Sequence, residues 1–216
     1  MNRSRVYVFL VIACLSVLPA LATDGSLAAN ETSDGTNTSV APVAVTPLTI
    51  VKSTIEKVIE TNIANQGEDK MVERREKLRE IINPHFDFEE MAKRSLGMHW
   101  RDISESEQEE YIGIFSSLLA KTYLARIDTV ISNVVEYKSE KVDGPNATVK
   151  TMITHKGDKF PIDYKLMKVD ERWRVYDVVI ENIGLVANYR NEFAGIIRKE
   201  GFQGLLTRLK EKSARG

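Results

Sequence analysis

Apolar positions along the chain keep a helical period for the first half of the fold and a strand period afterwards. Leu48, Val51, Ile55, Val58, Ile59 and Ile63 fall on one side of a helix. Thr46 before Pro47 predicts its start, with threonine as N-cap and proline at the first helical position. The stripe predicts helix to about Gln66, where Gly67 stops it. A second helix is predicted from about Lys70 to Ile82, ending before Asn83-Pro84. A third starts at Asp87, which forms a capping pair with Glu90, and carries Phe88, Met91, Ala92 and Ser95 up to Gly97. Ser104 and Glu107 form a second capping box. They open the longest helix, predicted to about Val134, with Tyr111, Phe115, Leu118, Leu119, Thr122, Tyr123, Ile127, Val130, Ile131 and Val134 on its apolar face.

The period then shortens to two. Val135–Tyr137 begins a short strand, and Asp143-Gly144-Pro145 is turn chemistry. Ala147, Val149, Thr151 and Ile153 alternate with polar or outward positions, as do Ile162, Tyr164 and Leu166 after the turn at "HKGDK". A third turn at "VDER" leads to Trp173 and Val175. After Tyr176-Asp177 the parity slips to Val178 and Ile180, which predicts a bulge or bend there. Four strands joined by short turns predict an antiparallel meander. The chain then returns to helix, with Val186, Tyr189, Phe193, Ile196 and Ile197 in one stripe. Gly201 interrupts, and Phe202, Leu205, Leu206 and Leu209 follow in another. The expected fold is α+β: a twisted four-stranded meander packed by N-terminal and C-terminal helices, the closing helices on its concave face.

The N-terminus has a different pattern. "MNRSR" is a short basic segment, and "VYVFLVIACLSVLPALA" is an apolar run of about 17 residues ending Ala20-Leu21-Ala22. This is the layout of a secretory signal peptide cut after Ala22; an uncleaved anchor is the alternative, opposed by Pro19 and by the short run. Thr23 to Thr46 is rich in Ser, Thr, Asn, Gly and Ala without a period, and reads as a disordered leader. The organisation expected is therefore signal peptide 1–22, leader 23–46, folded domain 47–212 and tail 213–216.

Composition narrows the chemistry. The whole chain carries 30 basic and 31 acidic residues, and loss of Arg3 and Arg5 with the signal peptide leaves a formal charge of −3. A nucleic-acid surface needs a basic surplus, which is missing here. The one cysteine, Cys14, lies in the expected signal peptide. "VIAC" gives it a partial lipobox, so lipidation of Cys14 is an alternative to cleavage after Ala22. Without Cys14 the remaining chain has no thiolate for a disulfide, a nucleophile or a metal. His85, His99 and His155 have no metal-binding spacing, and no P-loop or dinucleotide fingerprint occurs. No cofactor is expected. Asp163 and Asp177, on adjacent predicted strands, are the pair on which an enzyme reading would depend, one as general base; an outward charge and a bend residue is the plainer reading.

Three stretches are more specific than composition. "FDFEEMAKRSLGMHW" at 86–100, "YIGIFSSLLAKTYLARI" at 111–127 and, above all, "PIDYKLMKVDERWRVYDVVIENIGLVANYRNEF" at 161–193 resemble the MlaC, or toluene-tolerance, family. The resemblance covers about Pro47 to Lys212. The family pattern has glycine and serine where this chain has Asn182 and Gly184. The resemblance implies a soluble periplasmic phospholipid carrier that is not an enzyme, with an NTF2-like or MlaC-like fold around an apolar pocket. It implies exchange of lipid between an outer-membrane lipoprotein complex and an inner-membrane ABC transporter with an MCE-domain subunit, so maintaining outer-membrane lipid asymmetry. A monomer is expected. A carrier of another hydrophobe, such as a hopanoid, is the alternative.

The physics of such a carrier favours apolar surface over reactive groups. Each buried CH₂ is worth about 0.8 kcal/mol, so a 16-carbon chain is worth roughly 12 kcal/mol. A head-group hydrogen bond adds only about 0.5–1.5 kcal/mol net. The residues expected to line the pocket are Val149, Ile153, Ile162, Tyr164, Leu166, Trp173, Val175 and Val178 from the strands, and Phe193 and Ile197 from the closing helix. Phe115, Leu119 and Tyr123 join from the long helix, and Phe88, Met91 and Trp100 from the opposite wall. Arg190 is the candidate contact for the phosphate. Sequence alone does not divide pocket lining from plain core.

Overall fold

Thr46 accepts a hydrogen bond from the Thr49 amide, and Pro47 opens α1 (Pro47–Ala64) as the capping signal requires. A computed structural model describes residues 45–127, 134–155 and 157–214, all within one compact unit, Val45–Gly216. The expected signal peptide with Cys14, the leader up to residue 44, and Val130 and Ile131 lie outside the described residues. After α1 come α2 (Met71–Ile82), a 3-10 turn at Asn83–His85, α3 (Phe88–Leu96), a 3-10 turn at Gly97–Asp102 and α4 (Glu105–Ile127). Strands β1 (Val134–Asp143), β2 (Asn146–His155), β3 (Asp158–Val169), β4 (Arg172–Ile180) and β5 (Ile183–Gly184) follow, and α5 (Leu185–Ala214) closes the chain. Among the described residues no helix is long and apolar enough to cross a membrane.

The caps show why the helices begin where they do. The Ser104 amide donates to Glu107 Oε2 at 2.9 Å, and Ser104 Oγ accepts from the Glu107 amide at 3.4 Å, a complete capping box. At α3 only half of the box forms. Asp87 Oδ1 accepts from the Glu90 amide at 2.9 Å, but the Asp87 amide is taken by the Val175 carbonyl at 2.9 Å. Glu90 turns to Arg94 Nε at 2.7 Å instead. The cap of α3 is thereby also its attachment to β4.

The sheet is an antiparallel meander in the order β1-β2-β3-β4-β5. Its fifth strand, two residues long, was not expected. It follows from the turn Glu181-Asn182, where both residues take positive φ, 48° and 67°. This is the backbone a tight two-residue hairpin needs, and asparagine tolerates it better than most non-glycine residues. The expected bulge is present: Lys165 pairs with Asp177 and Leu166 with Val175, so Tyr176 is the extra residue. It lets Val175 and Val178 share the inner face.

Two expectations need correcting. The long helix stops at Ile127, and Val134 is in β1, opposite Thr154, rather than on the helix. Spacing of i, i+3 and i+4 does not separate a helix end from a β-branched strand start. Strand β1 runs for ten residues, well beyond Tyr137. It is an edge strand, so its outer half is exposed and charged and lacks the alternation that marks a half-buried strand. The second correction concerns the layers. The inner face of the sheet is covered by α1 together with the start of α5, while the rest of α5 packs mainly on α3 and α4.

Three apolar clusters result. One joins α3, α4 and α5 around Tyr111, Phe115 and Phe193, whose rings meet at centroid distances of 5.6 to 6.3 Å. A second joins α1 to the sheet. A smaller third unites Val58, Leu78 and Leu124 where α1, α2 and α4 meet.

Candidate functional site

The cluster between α1 and the sheet has the properties of a binding site. Side chains of β2, β3 and β4 form rows across its inner face. Val149 pairs with Tyr164 and Tyr164 with Val178; Ala147 pairs with Leu166 and Leu166 with Val175; Thr151 pairs with Ile162 and Ile162 with Ile180. Leu48, Ile50, Val51 and Ile55 come down onto these rows from α1, one stripe of a helix against one face of a sheet. Trp173 closes the row end, with Lys168 Nζ 5.7 Å from its ring centroid. The opposite face of the sheet is polar, with Lys150–Asp163 at 3.8 Å and Lys165–Asp177 at 3.5 Å.

The packing here is incomplete. A small apolar cavity of about 30 Å³ lies between the layers, lined by Ile50, Val51, Thr54, Ile55, His85, Phe86, Tyr164 and Val175. Ordinary ligand pockets hold about 300–1,000 Å³, so this conformation is nearly closed. Burial raises the Tyr164 phenol well above its ordinary value, so it is a neutral donor. His85 is half-exposed and titrates below the ordinary histidine value, because burial and then the Lys57 ammonium disfavour the imidazolium. The N-terminus of α1 is tied to the sheet by the Leu48 amide, which donates to Glu140 Oε1 of β1 at 2.7 Å.

The structure separates the expected lining residues into two groups. Val149, Ile162, Tyr164, Leu166, Trp173, Val175 and Val178 meet under α1. Met91, Phe115, Leu119 and Phe193 are buried in the helical cluster, with Phe88, Trp100, Tyr123 and Ile197 packed against it. Ile153 lies further along β2, opposite Val135 and Phe160. Arg190 Nε donates to the Arg94 carbonyl at 2.8 Å, and its methylenes lie against Gly97. It thus satisfies the end of α3 and is not among the residues lining the cavity. Sequence reasoning missed the α1 residues, Phe86 and His85. The α1 stripe was visible, but a stripe says which side of a helix is buried and not against what.

Asp163 and Asp177 do lie on neighbouring strands, each beside a lysine. Asp177 also caps a helix, since its Oδ1 accepts from the Val186 amide at 3.1 Å, in the first turn of α5. Among the described residues no group of histidine, cysteine, aspartate and glutamate could hold a metal ion.

The family model for MlaC protein matches residues 52–211. The chain belongs to the MlaC family. The chain is 22% identical over 187 residues to the intermembrane phospholipid transport system binding protein MlaC of Haemophilus influenzae, covering 83% of this chain and 86% of that one. It is also similar to a solved phospholipid-binding protein from Ralstonia solanacearum in complex with a phospholipid. That likeness has a TM-score of 0.69 and 27% identity, and covers 77% of this chain and 96% of the other.

Proposed function

We propose that this chain is a carrier that binds a phospholipid by its acyl chains, between α1 and the inner face of the sheet. The observation that carries the reading is the α1–sheet cluster. Here α1 lies on an apolar sheet face and, among the described residues, packing is incomplete. The phospholipid complex of a 27% identical structure of the same fold supports it. Acyl chains need more room than about 30 Å³, so loading separates α1 from the sheet. Apolar burial supplies the affinity, at about 0.8 kcal/mol per CH₂. A carrier must also release its load, and a site that closes on itself when empty lowers the cost of release. The protein acts in the periplasm after removal of its signal peptide, takes lipid from one membrane complex and gives it to another, and does so as a monomer without catalysis. The exchange partners are an outer-membrane lipoprotein complex and an inner-membrane ABC transporter carrying an MCE domain.

Native mass spectrometry of the freshly purified chain tests this. A phospholipid is expected at about one per chain, and Val51→Trp, which fills the cleft, is expected to reduce the bound fraction severalfold. Recovery of the chain with no lipid, or with a hydrophobe that lacks phosphate, would overturn the reading.

A further inference from the structure

His85 lines the cavity and is partly exposed, as are Thr54, Ile55, Phe86 and Tyr164, and of these it alone carries a ring nitrogen. It sits at the end of the 3-10 turn that leads into Phe86, opposite α1. On α1, Ile50 and Thr54 line the same cavity, and Lys57 comes next on that stripe at i+7 and i+3. Lys57 is exposed and close enough for its charge to act on the His85 imidazole. A lysine ammonium and an imidazole N–H thus lie on one side of an apolar cavity.

Neither has a partner among the described residues. The neighbouring lysines of α1 and α2 do: Lys52 reaches Glu56 at 4.0 Å, and Lys77 reaches Glu73 at 2.7 Å. Glu56, beside Lys57 in sequence, is therefore turned to Lys52 instead. Lys57 and His85 make no ion pair or hydrogen bond within the described structure. An anion placed between an ammonium and an imidazole N–H can accept from both.

We propose that Lys57 and His85 form the anion grip of the cleft, receiving the phosphodiester of a phospholipid whose acyl chains lie beneath α1. The inference rests on the carrier reading and names the part of the lipid that reading leaves open. Lys57 supplies a fixed positive charge and His85 a ring N–H. The phenol of Tyr164 lies among the apolar lining. A phosphate at the rim keeps its remaining oxygens in water, so little desolvation opposes it. The grip orients the lipid with its tails inward, and leaves the variable part of the head group in solvent.

The test is a comparison of affinities on the full chain stripped of copurified lipid. Its probes are a short-chain phosphatidylglycerol, the diacylglycerol with the same chains, and inorganic phosphate. The wild-type chain should bind the phospholipid about tenfold tighter than the diacylglycerol, the effect of one charge-assisted contact. Lys57→Gln and His85→Gln should each bring that ratio down, and together to within about twofold of unity. The ratio cancels any loss that both lipids share through a disturbed cavity or fold. Lys52→Gln, on the same helix but paired with Glu56, should keep the wild-type ratio. Equal binding of both lipids by the wild type, or a full preference in the double variant, overturns the grip and leaves the carrier standing. Binding of neither lipid removes both. Binding of inorganic phosphate that depends on Lys57 and His85, with no preference between the lipids, assigns the pair to a free anion and overturns the head-group role.

Discussion

A Cβ on Gly184 would stand 3.0 Å from Asp177 Oδ2. That contact explains a residue that the family pattern does not predict. Where a serine would cap α5 with its own hydroxyl, this chain has glycine, and Asp177 reaches over from β4 to accept from the Val186 amide. The missing side chain makes room for the carboxylate that replaces it as cap. Asp177 is 6% exposed and leans on Lys165 at 3.5 Å, so its charge is also balanced. The sequence could offer Asp177 as a hydrogen-bonded bend residue but not name its partners, because neither the Val186 amide nor the register to Lys165 is visible in it. Asp177→Ala is expected to lower unfolding free energy by about 1–2 kcal/mol, through loss of the cap and a buried amide left unpaired. Asp177→Asn, which keeps an acceptor, should retain most of it. Urea unfolding of the two variants separates these outcomes, and equal losses would show that charge and not capping is what matters.

At the scale of elements, α5 depends on one residue. Gly201 takes φ 71° and ψ 178°, a region open essentially to glycine alone, and breaks a 30-residue helix so that Leu205, Leu206 and Leu209 return to the helical cluster. A Cβ there would meet nothing within 4 Å. The constraint is therefore the backbone and not the space. Gly201→Ala should cost about 1–3 kcal/mol in chemical denaturation. Gly195→Ala, also free of neighbours but within regular helix, should be neutral or gain up to about 1 kcal/mol. Both this break and the bulge at Tyr176 were legible in the sequence, because each interrupts a period that runs on either side of it. The position of α1 was not. Its apolar stripe would fit equally well on α4 or on the sheet, and only the long-range packing of Ile50 and Val51 against Val149 and Leu166 decides between them. That ambiguity also merged the two groups of lining residues into one expected pocket.

For the whole molecule, the clusters differ in how completely they are filled. The helical cluster of α3, α4 and α5 is filled by stacked and edge-on rings, with Phe115 and Tyr189 at 5.4 Å and Tyr189 and Phe193 at 5.3 Å. Even its buried hydroxyls are satisfied, Ser95 Oγ lying 2.6 Å from Tyr111 Oη. A cluster so filled has little to gain from a ligand. The α1–sheet cluster has a gap at its centre and is held at its N-terminal end by a hydrogen bond between exposed groups, from the Leu48 amide to Glu140. Local opening takes the least stable packing first, so lipid should enter by movement of α1 over a sheet and helical body that keep their arrangement. Amide hydrogen exchange on lipid-loaded and lipid-free chain measures this directly. Delipidation should speed exchange in α1 and at the inner-face positions of β2 and β3 by at least severalfold, as a ligand that bridges the two layers is lost. Rates in α4 and in the first half of α5, up to Gly201, should be nearly unchanged. If lipid instead protected α4 and α5 and left α1 indifferent, the tails would lie among Phe115, Tyr189 and Phe193, and the helical cluster, not the α1–sheet cleft, would be the site.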